Sequence, residues 1–208
     1  MTGKVDLKAS LDSYRARRGE YRVLDVPELR YLVIDGSGDP NTSPDFTGAV
    51  EALYPVAYAM KFASKAELGR DYVVPPLEGL WWAEDMRAFT GARDKSRWSW
   101  TLLLMIPAWL GDEAVAAAVE RVAARRRPAR LDDVRLETLA EGRCVQTLHV
   151  GSFDDEGAVL AHLHDVVIPG SGFRMTGKHH EIYLSDLRRT APEKRRTILR
   201  QPVVPVTG

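Results

Sequence analysis

An α+β protein built from a duplicated strand–helix–strand–strand unit, with antiparallel sheets, is the fold that this sequence predicts. The first observation is that β-branched segments of period two alternate with segments of helical period. The second is that the same order of elements recurs roughly 110 residues later. Residue similarity between the halves is faint, so the duplication is inferred from the order of elements alone.

The first unit begins with an apolar strand at 28–35 that stops in a turn rich in Gly, Asp and Pro. Ser43 and Pro44 then form a helix start signal, and apolar residues at three- and four-residue spacing continue the helix to Phe62, with a kink at Pro55. The remaining elements of this half are strands over 71–82 and 98–106 and a helix from 111 to a basic end at 127.

The second half repeats this order. Two strand-like segments flank the turn at Glu141 and Gly142, and a helix opens at Gly151. The predicted ranges are strands over 134–139 and 143–150, a helix over 151–166, and strands over 178–184 and 196–203. We therefore expect a single domain over 1–208, in which 1–20 is an N-terminal arm, 21–127 the first repeat and 128–208 the second.

Composition excludes several classes of protein. The chain has 208 residues with 29 basic and 29 acidic side chains, so its net charge of zero gives no attraction to nucleic acid. No apolar run approaches the roughly 20 residues of a membrane span, and charges near the start argue against a signal peptide. A single cysteine, Cys144, fits a reducing compartment. These features predict a cytoplasmic protein that binds neither nucleic acid nor membrane.

Two groups of sequence motifs resemble a known family. Residues 177–186, GKHHEIYLSD, and 197–203, TILRQPV, resemble the closing signature of GyrI-like small-molecule-binding domains, whose repeats are of the SHS2 type. Residues 52–58 and 71–82 are similar to the standalone branch of that family. The resemblance covers about residues 20 to 205. It implies a hydrophobic ligand cleft between the two repeats, with an acidic residue at its centre.

The family resemblance also implies three kinds of activity. Members occur as effector domains of drug-responsive transcription activators, as gyrase inhibitors, and as hydrolases that open the cyclopropane of DNA-alkylating antibiotics. The roughly 20 residues before the first predicted strand are too few for a helix-turn-helix unit, which disfavours direct transcription regulation.

Glu181 is the predicted central acid. Strand alternation places Glu181 and Tyr183 on one side and Ile182 and Leu184 on the other, and the latter pair suits a helix-packed core. We therefore expect Glu181 and Tyr183 on the open face, where aromatic walls would raise the proton affinity of the carboxylate. Such a group can activate water or attract a cation. The alternative is an exposed strand glutamate, and the resemblance favours the site.

Aromatic residues are the candidate walls of the cleft. Trp98 and Trp100 share a face by the period of two, whereas Trp81 and Trp82 point oppositely, so at least one of this pair is expected on the open side, where a flat ligand can stack. The alternative is that all four are core residues.

Tyr54 and Tyr58 lie four residues apart on one helix face and are candidates to cap the cleft. A phenol, Tyr54 in particular, can donate to a developing oxyanion. Packing is the favoured role for Tyr58, which is expected deeper in the apolar stripe. Met86, Met105 and Met175 are candidates to adapt the pocket to different ligand shapes, or simply fill space.

No cofactor is expected from the sequence. Adjacent strand residues at 179–181 diverge and cannot bind one metal ion together. The serines lack a nucleophile-elbow motif, so covalent catalysis has no support.

Three functions remain open. The first is hydrolysis of strained rings in planar hydrophobic compounds, and the second is sequestering or sensing of such drugs. The third, less favoured, is inhibition of gyrase. Because the first two share one pocket, the fold does not decide between them. The expected partner in either case is a hydrophobic aromatic small molecule.

Overall fold

The computed structural model describes residues 3–83, 94–186 and 188–206, and it confirms the α+β class. The strands are β1 (Arg22–Val26), β2 (Leu29–Ser37), β3 (Leu77–Trp82), β4 (Ser99–Ile106), β5 (Arg135–Leu139), β6 (Gly142–Val150), β7 (Phe173–Met175), β8 (His179–Tyr183) and β9 (Arg196–Pro205). The helices are α1 (Leu7–Ser10), α2 (Pro44–Glu67), α3 (Asp112–Arg125) and α4 (Gly157–His162), which continues through a π-helical turn at Leu163–Val167 into α5 (Ile168–Gly170). Within the described ranges, none of these helices has the length and hydrophobicity that a bilayer crossing requires.

The long helix α2 packs against the sheet through an apolar stripe. Pro44 occupies its first turn, where the missing N–H costs nothing, and Pro55 lies inside the helix. Leu53, Val56 and Met60 recur at three- and four-residue spacing and are almost completely buried. This periodicity is what the sequence predicts, and the stripe fixes which side of α2 faces the sheet.

The strands form one sheet in the order β1-β6-β9-β8-β3-β4-β2-β5, and β7 pairs with β9. β3 and β8 pair antiparallel at its middle, so the two halves of the chain meet at this pair, called here the β3–β8 seam. β1 pairs with β6 of the other half, and β5 pairs with β2. The counterparts in the two halves are β1 and β5, β2 and β6, β3 and β8, and β4 and β9. Exchanging each strand for its counterpart gives the same order read from the other edge of the sheet. From this topology we propose a duplicated unit with halves at 21–127 and 128–208.

The sheet has two differently covered faces. On the helix face, Trp81 and Tyr183 belong to the cluster packed under α2 and α3. On the opposite face, called the arm face, Leu80 and Ile182 pack against Tyr14 of the N-terminal segment. The prediction that Ile182 faces the helix-packed core is therefore wrong, because the odd-numbered residues of β8, such as Tyr183, face the helices and the even-numbered ones face the arm.

The N-terminal arm is part of the fold. Tyr14 is only 4% exposed, and the arm forms α1 and a 3₁₀ turn at Asp12–Tyr14. Its Val5 also makes a parallel bridge to Tyr72, before the point where β3 begins. The sequence predicted neither this packing nor the edge strands β1 and β7.

Four charged side chains are buried together on the arm face. His180 lies 2.9 Å from a carboxylate oxygen of Glu78 and 3.0 Å from one of Glu141, and Arg200 lies 2.7 Å from Glu141. Burial alone would lower the pKa of His180, but the carboxylates of Glu141 and Glu78 outweigh it and raise the pKa to about 9. Two cations therefore balance two anions at neutral pH, as buried charges require.

This buried cluster also fastens the arm to the sheet. The Tyr14 hydroxyl donates to Glu78, and a guanidinium N–H of Arg200 donates to the carbonyl of Ser13 at 2.7 Å. Residues at opposite ends of the chain thus meet at one buried point, behind the helix-face side chains of the β3–β8 seam.

Candidate functional site on the helix face of the seam

The candidate site is built on the β3–β8 seam. In its register Gly79 lies opposite Glu181, and Trp81 lies opposite His179. Because side chains opposite one another share a face, Glu181, His179 and Trp81 all project from the helix face. Glu181 and Tyr183 are therefore on the same side as α2, and the predicted placement away from the helices is wrong.

Trp81 and Tyr183 are joined by a hydrogen bond. The indole Nε1 of Trp81 donates to the phenol oxygen of Tyr183 at 3.0 Å, and both side chains are buried. A Cβ at Gly79 would lie 2.7 Å from the indole nitrogen, so glycine leaves the room that this bond occupies. The two aromatic rings consequently have a fixed position beside Glu181.

The carboxylate of Glu181 lies between Tyr183 and His179. Its side chain is 13% exposed, and its Oε1 lies 3.6 Å from Nε2 of His179. Burial, followed by the charge of Glu181 and a hydrogen bond to it, raises the pKa of Tyr183 well above the usual range. The phenol is thus protonated and oriented to donate to Glu181.

Side chains from both halves of the chain surround this acid. From the first half, Phe46 of α2 stacks on Trp81 with ring centroids 6.2 Å apart, and Trp98 meets Trp81 edge to face at 5.8 Å. From the second half, Phe153 meets Tyr183 edge to face at 5.7 Å. The result is an aromatic enclosure in which a carboxylate is only partly accessible to solvent.

A second acid lies in the same enclosure. Glu156 is 4% exposed, and its charge, after that of Glu181, contributes to the raised pKa of Tyr183. Glu156 precedes α4, directly after the short 3₁₀ turn at Phe153–Asp155. The sequence analysis did not single out Glu156 or Phe153, because nothing in a single acidic helix start distinguishes a site residue from a first-turn charge.

Tyr54, Tyr58 and Phe62 form a row of stacked rings along α2. Successive ring centroids are 6.4 and 6.3 Å apart, as expected for residues four apart. Burial raises the pKa of Tyr54, whose hydroxyl also interacts with the backbone of Leu77 at the start of β3. Tyr58 is 46% exposed and Phe62 60%, so Tyr58 is not in the deeper, packing position expected for it.

Three predicted ligand residues are enclosed in the core or lie on the arm face. Trp100 is completely buried against Gly36, and it is a core residue. Met105 is 2% exposed and belongs to the arm-face cluster. Trp82 also lies in that cluster, with the Lys178 ammonium 3.3 Å from its ring centroid. Trp82 and Met105 therefore lie on the face opposite Glu181, whereas Trp100 lies on the helix face, opposite Trp81 in the register and 5.2 Å from Phe46 between ring centroids.

Met175 lies away from the seam. Met175 is 45% exposed on β7, where it pairs with Val203 of β9. Glu181 pairs with Leu199, which is four residues away from Val203 along β9. Met86 lies outside the described residues. Of the predicted residues, the seam therefore brings together Glu181, Tyr183, Trp81 and Trp98, with Tyr54 and Tyr58 at its Leu77 end.

Two cavities lie away from this enclosure. One of about 540 Å³ is on the arm face, lined by Glu141, Lys178 and Leu80 among others. The other, of about 430 Å³, adjoins the open end of β6 at Thr147 and His149. Within the described ranges, no group of three or more His, Cys, Asp or Glu side chains is arranged to hold a metal ion.

Comparison with known proteins identifies a family. The model of the GyrI-like small-molecule-binding domain matches residues 19–203. A search of curated proteins gave no significant match. Among solved structures, an uncharacterized conserved protein of Listeria innocua is 37% identical, with a TM-score of 0.88, over 97% of this chain and 100% of its own.

Two further similar structures are named hydrolases. Both come from Listeria innocua and cover 97% of this chain and 100% of their own; they are 35% and 36% identical, with TM-scores of 0.84 and 0.86. The C-terminal domain of EcmrR, at 12% identity and a TM-score of 0.57 over 90% of this chain and 98% of its own, shares the fold alone. The family model spans nearly the whole chain, and the chain therefore belongs to the family of GyrI-like small-molecule-binding domain proteins.

Proposed function

We propose that this protein binds planar hydrophobic compounds on the helix face of the β3–β8 seam and hydrolyses the cyclopropane of such compounds. The observation that carries the proposal is the partly accessible Glu181 carboxylate, 13% exposed, beside the fixed Trp81–Tyr183 pair. Similarity at 35–36% identity to two proteins named hydrolases, over nearly the entire chain, supports the choice of reaction class.

The proposed step balances as a hydrolysis. Glu181 accepts a proton from water while the water oxygen forms a bond to a ring carbon. The strained carbon–carbon bond breaks, and its electron pair moves into the conjugated carbonyl, whose oxygen then takes a proton from solvent. Tyr54 is the proposed donor to that oxygen as charge develops, because its hydroxyl lies at the Leu77 end of the seam.

The ligand that fits this enclosure is a hydrophobic aromatic small molecule. Aromatic faces from Trp81, Trp98 and Phe153 favour stacking, and Glu181 supplies the polar group that orients the ligand. We further propose a cytoplasmic protein that detoxifies alkylating compounds and thereby confers resistance to them, without nucleic-acid or membrane binding.

Mass spectrometry tests the proposal. Catalytic amounts of protein are incubated with an excess of a cyclopropane-bearing alkylating agent, and we expect several molecules of a product heavier by one water per protein. Glu181→Gln keeps the shape of the side chain and removes its basicity, so turnover is expected to fall about a hundredfold or more. Glu120→Gln, on the exposed side of α3, is the matched control and is expected to leave turnover unchanged. Turnover like that of the wild type in Glu181→Gln overturns the role of Glu181.

A binding protein without turnover is the second candidate. The specific observation that favours it is the row of stacked rings at Tyr54, Tyr58 and Phe62, in which Tyr58 and Phe62 are exposed and offer stacking surface beyond the Leu77 end of the seam. In that case Glu181 serves as the counter-charge of a cationic ligand, and Glu181→Gln weakens cation binding with no turnover to lose. Tight binding combined with no product from the wild type selects this candidate.

A further inference from the structure

Two histidines on the helix face have no role in the chemistry above. His179 lies two residues before Glu181 on β8, is 6% exposed, and places its Nε2 3.6 Å from the carboxylate. The ring of His164 meets the ring of His179 edge to face, with centroids 5.9 Å apart. The three side chains thus follow one another from the acid toward the second-half helix.

The ring nitrogens of these histidines are not used by the fold. Among hydrogen bonds between described residues, Nδ1 and Nε2 of His179 and Nε2 of His164 have no partner, although all three atoms are buried. A buried polar atom without a partner is costly and is rare in native proteins, where it often marks a catalytic role. Nε2 of neighbouring His180 on the arm face is also without a hydrogen bond, but it lies 2.9 Å from a carboxylate oxygen of Glu78, and the Nδ1 of His180 is bonded to Glu141.

The helix that carries His164 is distorted at that point. His164 lies in the π-helical turn at Leu163–Val167, between the α-helical segments α4 and α5. A π turn inserts one residue into a helix, and such turns occur often at functional sites. Here the turn brings His164 to His179 while Leu163 and Ile168, on either side, remain in the core.

His164 is suited to accept a proton only transiently. Burial, followed by the neighbouring His179, lowers the pKa of His164 to about 4, and Asp165 only partly opposes this. Its ring is therefore neutral near pH 7, with one nitrogen able to accept. The described titratable groups that face His179 are Glu181 on its own strand and His164 on the π turn, while Trp81 lies opposite on β3.

We propose that His179 and His164 form a proton relay that restores Glu181 between turnovers. The inference rests on the hydrolytic function proposed above. The proton that Glu181 takes from water passes to Nε2 of His179, and Glu181 becomes a carboxylate again. His179 then releases its Nδ1 proton toward Nε2 of His164, which passes a proton on to solvent. His179 and His164 act through Glu181, so both are positioning residues.

Histidine NMR of the full-length protein tests the relay without any substrate. The titration of the His179 ring nitrogens is followed in the wild type, in Glu181→Gln and in His164→Asn. We expect Glu181→Gln and His164→Asn each to change this titration, because each substitution alters a polar side chain beside the His179 ring. His162 is an exposed histidine on α4 that packs on Tyr21. His162→Gln is therefore the control, and it is expected to leave the titration of His179 unchanged.

Kinetics separate the relay from a structural role. If the protein is a hydrolase, His179→Gln is expected to lower kcat at least tenfold with little change in KM and to alter the pH profile, whereas His162→Gln does neither. An unchanged kcat in His179→Gln overturns the relay. A His179 titration that is the same in the wild type, in Glu181→Gln and in His164→Asn also overturns it. A wild type with coupled titrations but no turnover supports the coupled histidines and rejects the hydrolytic function instead.

Discussion

The indole nitrogen of Trp81 donates a 3.0 Å hydrogen bond to the phenol oxygen of Tyr183 across the β3–β8 seam. Trp81 belongs to the first half of the chain and Tyr183 to the second, so this bond joins the two halves beside Glu181. Because both side chains are buried, neither can exchange this partner for solvent.

Removing the Tyr183 hydroxyl should therefore destabilise the protein. Tyr183→Phe leaves the buried indole N–H without its acceptor, and the free energy of unfolding is expected to fall by about 1 to 3 kcal/mol in urea titrations. In a Trp81→Phe background the same change should cost less, since the donor is already gone. Equal costs in both backgrounds would show that the bond contributes nothing.

A methyl group at Gly79 should separate the same two side chains. The added Cβ would lie 2.7 Å from the Trp81 indole nitrogen and 3.0 Å from the Tyr183 oxygen. We expect Gly79→Ala to lower the free energy of unfolding by about 1 to 3 kcal/mol and to change tryptophan fluorescence. Gly170→Ala, at a helical position with open space around the new Cβ, is the control and should be neutral or stabilising.

The buried charges on the arm face predict a defined pH range of maximal stability. The pKa of His180 is raised from 6.5 to about 9, so its contribution is complete below pH 6.5 and is lost as the pH rises through 9. Burial would raise the pKa of Glu141, but His180 and Arg200 outweigh it and lower the pKa from 4.5 to about 2. That contribution is complete above pH 4.5 and is lost as the pH falls through 2. Stability from these two groups is therefore greatest between pH 4.5 and 6.5.

Replacing His180 tests this assignment. His180→Gln leaves two buried carboxylates facing one guanidinium, and about 3 to 5 kcal/mol of stability is expected to be lost. The alkaline decline between pH 6.5 and 9 should also flatten in chemical denaturation measured across pH. His162→Gln, at an exposed position, should keep both the stability and the decline. An unchanged alkaline decline in His180→Gln would refute the role of His180.

The exposed rings on α2 should contribute to ligand binding without supporting the fold. Tyr58 is 46% exposed, so Tyr58→Ala is expected to change stability little. Loss of one stacking partner should weaken binding of a planar aromatic probe up to about tenfold, measured by fluorescence quenching. Val23→Ala removes an equally exposed apolar side chain on β1 and should leave affinity unchanged. Equal affinities of Tyr58→Ala and the wild type would exclude this row from the site.

The sequence predicted the regular elements because their periodicities are strong. The apolar stripe of α2, its Ser-Pro start, and the β-branched segments of β2, β4 and β6 were all predicted within a few residues of their observed bounds. β1 and β7 were missed, because short edge strands gain their order from a partner strand distant in the chain. An arm was predicted over 1–20, but its packing was missed for a related reason, since its buried contacts are with Glu78 and Arg200.

The site was predicted only in part. Alternation correctly separates Glu181 from Ile182, but it does not say which face the helices cover, and this is why the faces were exchanged. The position of His179 beside Glu181 was predictable from the sequence, because residues two apart on a strand share a face. The sequence analysis weighed His179 only as a metal ligand. Glu156 precedes the helix of the second half and His164 lies in its π turn, and only the tertiary fold brings them to the seam.

The exchange of edge strands between halves has a consequence for biosynthesis. β1 pairs with β6, and β5 covers the edge of β2 that β4 leaves open, so a nascent chain that ends before residue 135 has β1 without a partner and β2 with one exposed edge. The arm is fastened later still, since its Ser13 carbonyl accepts a hydrogen bond from Arg200 of β9. Completion of the sheet therefore follows synthesis of the last strand, and the emerging first half must avoid pairing with neighbouring copies until then.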